Sequence, residues 1–323
     1  MEAARVGKFQ IQSKKCVNHF KKSECNKCSD LCPQQAISNG VIDMNKCNAC
    51  GLCLSVCPSK AVISSIAYQK TIERFTEQKE ISFYCQKKHE NSSFPCLAFL
   101  DARLLFTMAQ NHAVDVELSN CVYCNPKILN ILKTRLNECN AVLMKQGKAP
   151  VNVIERIEES HMQNEEMNRR LFLKQMLGAT VSFIELLKVD QSEEVCIPCH
   201  FEDYIRAETN QKTLEKNPLF FSCVINEGCN ACGLCRMICP QKALQGFLTK
   251  NDFLLKFDKT LCYQCHVCEN NCAKNAILIT EELMKPNEFS ISLPLCKNCG
   301  QPFFPIENSE ICIKCYQRSK VFK

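Results

Sequence analysis

The sequence predicts an α+β protein: two similar cysteine-rich modules flank a small α/β middle region with a parallel βαβ sheet, and a short cysteine-rich tail follows. Three observations predict it. The 323 residues include 28 Cys, a density that signals a disulfide or metal scaffold. The segment CNACGLCLSVCPSKAV from Cys47 recurs as CNACGLCRMICPQKAL from Cys229, matching at 11 of 16 positions. Between the copies, strand-like and helix-like patterns alternate. At about 150 residues per domain, the length suggests two or three domains.

Residues 1–65 form the first module. Cys47-x2-Cys50-x2-Cys53-x3-Cys57-Pro58 is preceded by Cys16, Cys25, Cys28, Cys32 and Pro33. A short loop with this spacing can wrap three corners of a cubane iron–sulfur cluster, while the fourth corner needs a strand from elsewhere. Proline after the last Cys fixes φ and removes a donor, which turns the chain away from the site.

Residues 66–194 form the middle region. EISFYC (80–85), AVDVEL (113–118) and VNVIERI (151–157) read as strands. Helices are expected over 95–110, amphipathic and opened by Pro95, over 126–144, and over 165–187. Alternation of this kind gives a parallel sheet, in which the first two strands end on one edge. Cys85, Cys96, Cys121 and Cys124 would converge there as a further metal or cluster site, the alternative being buried or incidental thiols. Residues 195–222 connect the middle region to the second module. They contain Cys196-Ile197-Pro198-Cys199-His200, either a redox CxxC or half a metal site. Arg169-Arg170 resembles a twin-arginine export motif, but its mid-chain place makes it an ordinary solvated pair, with a docking role as the alternative.

Residues 223–285 repeat the cysteine pattern as Cys229, Cys232, Cys235 and Cys239-Pro240, followed by Cys262, Cys265, Cys268 and Cys272. Residues 286–323 hold Cys296-x2-Cys299 and Cys312-x2-Cys315. Cys139 and Cys223 stand outside these patterns. Cys139, on a helix, is expected as a buried small apolar residue.

Residues 16–65 and 223–280 resemble the bacterial-type ferredoxins with two [4Fe–4S] clusters. The resemblance implies cross-ligation within each module. One cluster falls to Cys32, Cys47, Cys50 and Cys53, and its mate to Cys25, Cys28, Cys57 and Cys16, with the gap after Cys16 longer than in the family. In the second module, Cys229, Cys232, Cys235 and Cys272 form one set and Cys239, Cys262, Cys265 and Cys268 the other. Ala273 replaces the family's proline, which should change the turn but not the ligation. The tail resembles a zinc ribbon, four thiolates around one tetrahedral ion, with rubredoxin-like iron as runner-up. The apolar area between its two CxxC pairs is small, so the metal would supply the folding energy. The middle quartet loosely resembles metal-bearing thioredoxin-like and hydrogenase-delta modules, whose spacings it does not match.

Several classes are disfavoured. The formal charge of +6 treats every Cys as neutral; four clusters of about −2 each would remove that surplus. Lys and Arg are also spread along the chain, so no nucleic-acid partner is expected. The longest apolar run, Met176 to Leu187, is too short to span a bilayer. No secretory stretch opens the sequence, so a reducing cytoplasm is expected. There is no GxGxxG or Walker loop and only 9 Gly, which disfavours nicotinamide, flavin or ATP sites. The resemblance therefore implies an electron carrier rather than an enzyme, passing single electrons to or from a redox partner protein. The alternative is an accessory protein that assembles a molybdo- or hydrogenase-type enzyme.

Overall fold

A computed structural model describes residues 9–90, 92–155, 197–198, 201–214, 217–249, 252–282, 287–304 and 309–321. The helix expected over 165–187, Arg169-Arg170, Cys196 and Cys199 lie outside the described residues. Elsewhere the architecture is α+β, with small sheets and mostly short helices.

In the middle region, Glu80–Phe83, Ala113–Glu117 and Asn152–Ile154 pair in parallel, in that order. Ile81 and Phe83 are buried on one strand, Val114 and Val116 on the next. Residue pairs such as Phe83 and Val116 are in register, so both strands end on one edge. The connecting helices are Ala102–Ala109 and Pro126–Lys145. Pro95 does not open the first of these. Asp101 does, accepting from the Leu104 N–H at 2.9 Å, while Leu97 to Leu100 are buried ahead of the helix. Nor is that helix amphipathic: all eight of its residues are buried, so it is a central element with no wet face.

In the first module, Phe9–Ile11 pairs antiparallel with Val62–Ser64, to which Ile197–Pro198 adds a third strand. Ile37–Ser38 and Val41–Ile42 form a hairpin. Asn39 and Gly40, at φ +49° and +73°, supply the two left-handed residues of a type I′ turn. One buried cluster runs from Leu52, Leu54 and Tyr68 through Phe83, Phe99 and Phe106 to Leu132 and Phe220. First module and middle region therefore share a core.

The second module pairs Ser222–Ile225 with Ile277–Thr280. A separate antiparallel sheet joins Leu244–Leu248, Asp252–Phe257 and Glu288–Ser292. Phe253, Leu255, Phe257, Ile277 and Ile279 form its own buried cluster.

Candidate metal centres

A single turn recurs after Cys32, Cys57, Cys239 and Cys272. In each, the N–H three residues on donates to the cysteine carbonyl at 3.1–3.2 Å. The donors Gln35, Lys60, Lys242 and Asn275 all have φ near +50°. That conformation aims the next N–H at sulfur: Ala36, Ala61 and Ala276 donate to the Sγ of Cys32, Cys57 and Cys272 at 3.2–3.3 Å. Ala273 thus leaves the turn unchanged, contrary to expectation. The hydrogen-bonding pattern, and not the proline ring, sets its shape.

Cys47 and Cys50 lie on a loop with left-handed residues at Ala49 and Gly51, and Cys53 on the helix that follows it. Ala231 and Gly233 repeat these positions in the second module, and Gln264 and His266 follow the same course. Such alternation turns successive N–H groups inward, a concave surface suited to negative charge. The Ala49 and Leu52 N–H groups hydrogen-bond Cys47 and Cys50. Helix Leu52–Val56 then buries Leu52 and Leu54, which turns Cys53 toward Cys50, Cys47 and Cys32. These four thiols line a small cavity of about 20 Å³.

Cys16, Cys25, Cys28 and Cys57 line a second cavity, of about 140 Å³. The lengthened gap is accommodated by folding back. Turns at Ser13–Lys15 and Val17–His19 flank Cys16, with Val17 buried. The Asn18 side chain exchanges two hydrogen bonds with the Cys25 backbone, at 2.6 and 2.9 Å. Cys229, Cys232, Cys235 and Cys272 line a third cavity, of about 510 Å³. Cys262, Cys265, Cys268 and Cys239 gather nearby, close enough to perturb one another.

Several of these sulfurs are held in the thiol form by the protein alone. Burial first, then neighbouring thiols, pushes Cys28, Cys50 and Cys265 up to about 11 and Cys235 and Cys262 to about 12. Cys53 and Cys268 are driven up by the same causes. Thiols so placed become ligands only when a cationic centre offsets the crowding, which is the demand an iron–sulfur group meets.

The tail quartet is tighter. The Sγ atoms of Cys296, Cys299, Cys312 and Cys315 all lie within 4.8 Å of one another, the only such group of three or more potential ligands among the described residues. The Cys312 N–H donates to Cys296 Sγ at 3.2 Å, and Gly300, at φ +65°, closes the first knuckle through its N–H to the Cys296 carbonyl at 2.8 Å. One tetrahedral ion with bonds of about 2.3 Å fits thiolates this close.

Cys85, Cys96, Cys121 and Cys124 also come together, at the shared edge of the parallel sheet, where each acts on its neighbours. Cys139 is buried in helix Pro126–Lys145, as expected. Cys223, also buried, sits between the two sites of the second module, beside Cys262 and Cys235.

Sequence reasoning missed the seam between the modules. Lys60, three residues past Cys57, is 3.2 Å from Asp101, 3.8 Å from Glu202 and 4.0 Å from the centre of the Tyr263 ring. Tyr263 itself follows Cys262. Burial pushes the Asp101 carboxyl up, but Lys60, the Leu104 N–H and two arginines outweigh it and hold the group below its usual range. Arg103 stacks on Tyr263 at 4.2 Å and donates to the Leu219 carbonyl at 2.5 Å. The recurrence of lysine at Lys60 and Lys242 was the one available signal. Across this seam Cys57 is near enough to raise the Cys265 thiol. Cys28 likewise acts on Cys53, and Cys50 on Cys96.

Residues 22–69, which include seven of these cysteines, match the family model described as the LdpA Fe-S cluster-binding domain. With so many cysteines, the match supports an iron–sulfur protein. No curated protein matches the chain. Among the described residues, no helix is long and apolar enough to cross a membrane.

Proposed function

We propose that the chain is an electron-transfer protein holding four [4Fe–4S] clusters and one zinc ion, which passes single electrons to or from a redox partner protein. Cys32, Cys47, Cys50 and Cys53, and Cys16, Cys25, Cys28 and Cys57, would hold the clusters of the first module. Cys229, Cys232, Cys235 and Cys272, and Cys239, Cys262, Cys265 and Cys268, would hold those of the second. Each cluster, when bound, supplies a reversible one-electron couple within about −700 to +450 mV. The chain's part is to donate N–H groups to sulfur, exclude water and hold the sites close together. What supports this reading is the seam, where Gln241 hydrogen-bonds the Ser59 carbonyl at 2.7 Å and Cys57 lies near Cys265, so that the proposed sites of the two modules are neighbours. Zinc suits the tail, whose thiols are closer together than those of the other quartets. Every described cysteine is free, which favours a reducing, cytoplasmic setting.

The test is anaerobic purification followed by metal analysis and reductive titration monitored by electron paramagnetic resonance. At least about 16 iron and 16 sulfide per chain are expected, with signals that appear on reduction and vanish on reoxidation. Replacing Cys265 and Cys268 by Ser should remove about four iron and stop electron transfer through the second module. Iron near 8, or zinc at the ferredoxin-like sites, would overturn the reading. Full iron with clusters that cannot be cycled would favour an accessory role in assembling another redox enzyme.

A further inference from the structure

We propose that Cys85, Cys96, Cys121 and Cys124 hold a fifth iron–sulfur cluster, beside the site formed by Cys32, Cys47, Cys50 and Cys53. The thiols come from two loops that leave the same edge of the parallel sheet. The first loop closes on itself. Gln86 N–H donates to the Phe94 carbonyl at 2.9 Å, and Ser92 Oγ donates to the Tyr84 carbonyl at 2.6 Å. These bonds bring Cys85 and Cys96 together across the loop's neck. The loop is then tied to the end of the second strand, where Glu117 is 3.0 Å from Lys88 and 3.5 Å from His89. The second loop turns at once into the short helix Cys121–Cys124, through the Cys121 N–H bond to Leu118 at 2.9 Å. Lys87 Nζ crosses from the first loop to Cys124 Sγ at 3.1 Å.

This is a built site. Cys85, Cys96 and Cys121 pack against the main core, whereas Cys124 is exposed. Three thiols packed against a core, and an exposed fourth bonded to a lysine, form a donor set that calls for a cationic centre. The choice between ion and cluster follows from spacing. A four-coordinate zinc with bonds of about 2.3 Å draws its thiolates as close as those of the tail. The middle sulfurs are more widely spaced: no three of them lie within 4.8 Å of one another. Cys96 also stands near Cys50, so the fifth site extends the row of four at its first-module end. Its place in that row rests on the four-cluster reading; the site itself does not. Lys87 hydrogen-bonds a ligand sulfur and favours the more negative, reduced state, so it acts as a positioning residue that raises the potential.

The full chain, purified anaerobically, is expected to contain about 18 to 20 iron with one zinc, and Cys85→Ser with Cys121→Ser to lower this to about 16 with zinc unchanged. Cys124 is exposed, so Cys124→Ser tests the site without opening the core; it should change the resonance signal of one cluster and leave the others as they are. Lys87→Gln should keep all the iron and lower the potential of one signal. Unchanged iron in both cysteine variants, or two zinc ions per parent chain, would overturn the fifth cluster. Failure of the four-cluster reading would instead appear as no iron lost from the variant altered at Cys265 and Cys268.

Discussion

Gln241 donates its side-chain amide to the backbone carbonyl of Ser59 at 2.7 Å, and the two residues, 182 apart, hold the same place in the repeated motif. Each stands two residues past the last cysteine of its run. The two modules therefore meet through equivalent turns, and this brings Cys57 and the Cys262–Cys268 loop to one seam. Removing the amide by Gln241→Ala should cost about 1 kcal/mol, the net worth of an ordinary hydrogen bond. Chemical denaturation measures it.

Lys60→Met is expected to cost more. Its side chain is 9% exposed and serves both Asp101 and Glu202, so the substitution takes the lysine from two buried carboxylates and leaves Asp101 to its two arginines. Breaking such a pair costs about 3–5 kcal/mol. The low folded-state value of Asp101 stabilises the protein above about pH 4, its unfolded value, and that contribution fades as pH falls through the folded value. Without Lys60 the folded value rises and the contribution shrinks. Acid unfolding, monitored by near-ultraviolet circular dichroism, should therefore begin at a higher pH in the variant.

Cys16→Ser should remove one cluster, about four iron, and leave the site of Cys32, Cys47, Cys50 and Cys53 intact. The double clamp from Asn18 to Cys25 holds Cys16 at the edge of the shared cavity, with no other cysteine before Cys25. Full retention of iron would show that another thiol fills this corner.

Gly51→Ala and Gly233→Ala should separate, although the residues are equivalent. Both have left-handed backbones, worth about 1–2 kcal/mol against alanine. At Gly51 an added methyl group would also lie 2.9 Å from Tyr68 Oη and 3.2 Å from Phe99 Cβ, inside the main core. At Gly233 it meets only the flexible Arg236 side chain, at 3.2 Å. Thermal unfolding should show the larger loss at Gly51, and equal losses would argue against crowding.

Much of the chemistry was legible in the sequence because cysteine spacing records which sulfurs a short loop can gather. The parallel strands were legible too, since their apolar residues alternate. The start of helix Ala102–Ala109 was not: Pro95 is a strong local signal, but burial of Leu97 to Leu100 overrides it and Asp101 makes the cap. Asn39-Gly40 announced its hairpin and was overlooked. The alanine four residues past each final cysteine was also visible, yet its meaning depends on an N–H direction that only the fold supplies. Beyond the lysine that recurs at Lys60 and Lys242 the seam was illegible, because Lys60, Asp101, Glu202 and Tyr263 are far apart in the chain and ordinary one by one.

Zinc removal from the tail should be a local event. With the ion chelated, the helix Ile313–Val321 has little apolar area to hold it and should lose its hydrogen-exchange protection. Iron content should not change. Loss of iron together with zinc would mean that the tail supports the second module.

The wholly buried helix Ala102–Ala109 also sets a timetable. Arg103 is anchored by the Leu219 carbonyl, 116 residues later, and Phe106 packs on the Phe220 ring, centroids 6.2 Å apart. At about 5–20 residues per second, the ribosome delivers those partners roughly ten seconds after the helix itself. Throughout that interval one of the most apolar stretches of the nascent chain has no finished enclosure. A chaperone that shields residues 97–109 should therefore raise the yield of folded protein more than one acting on the completed chain.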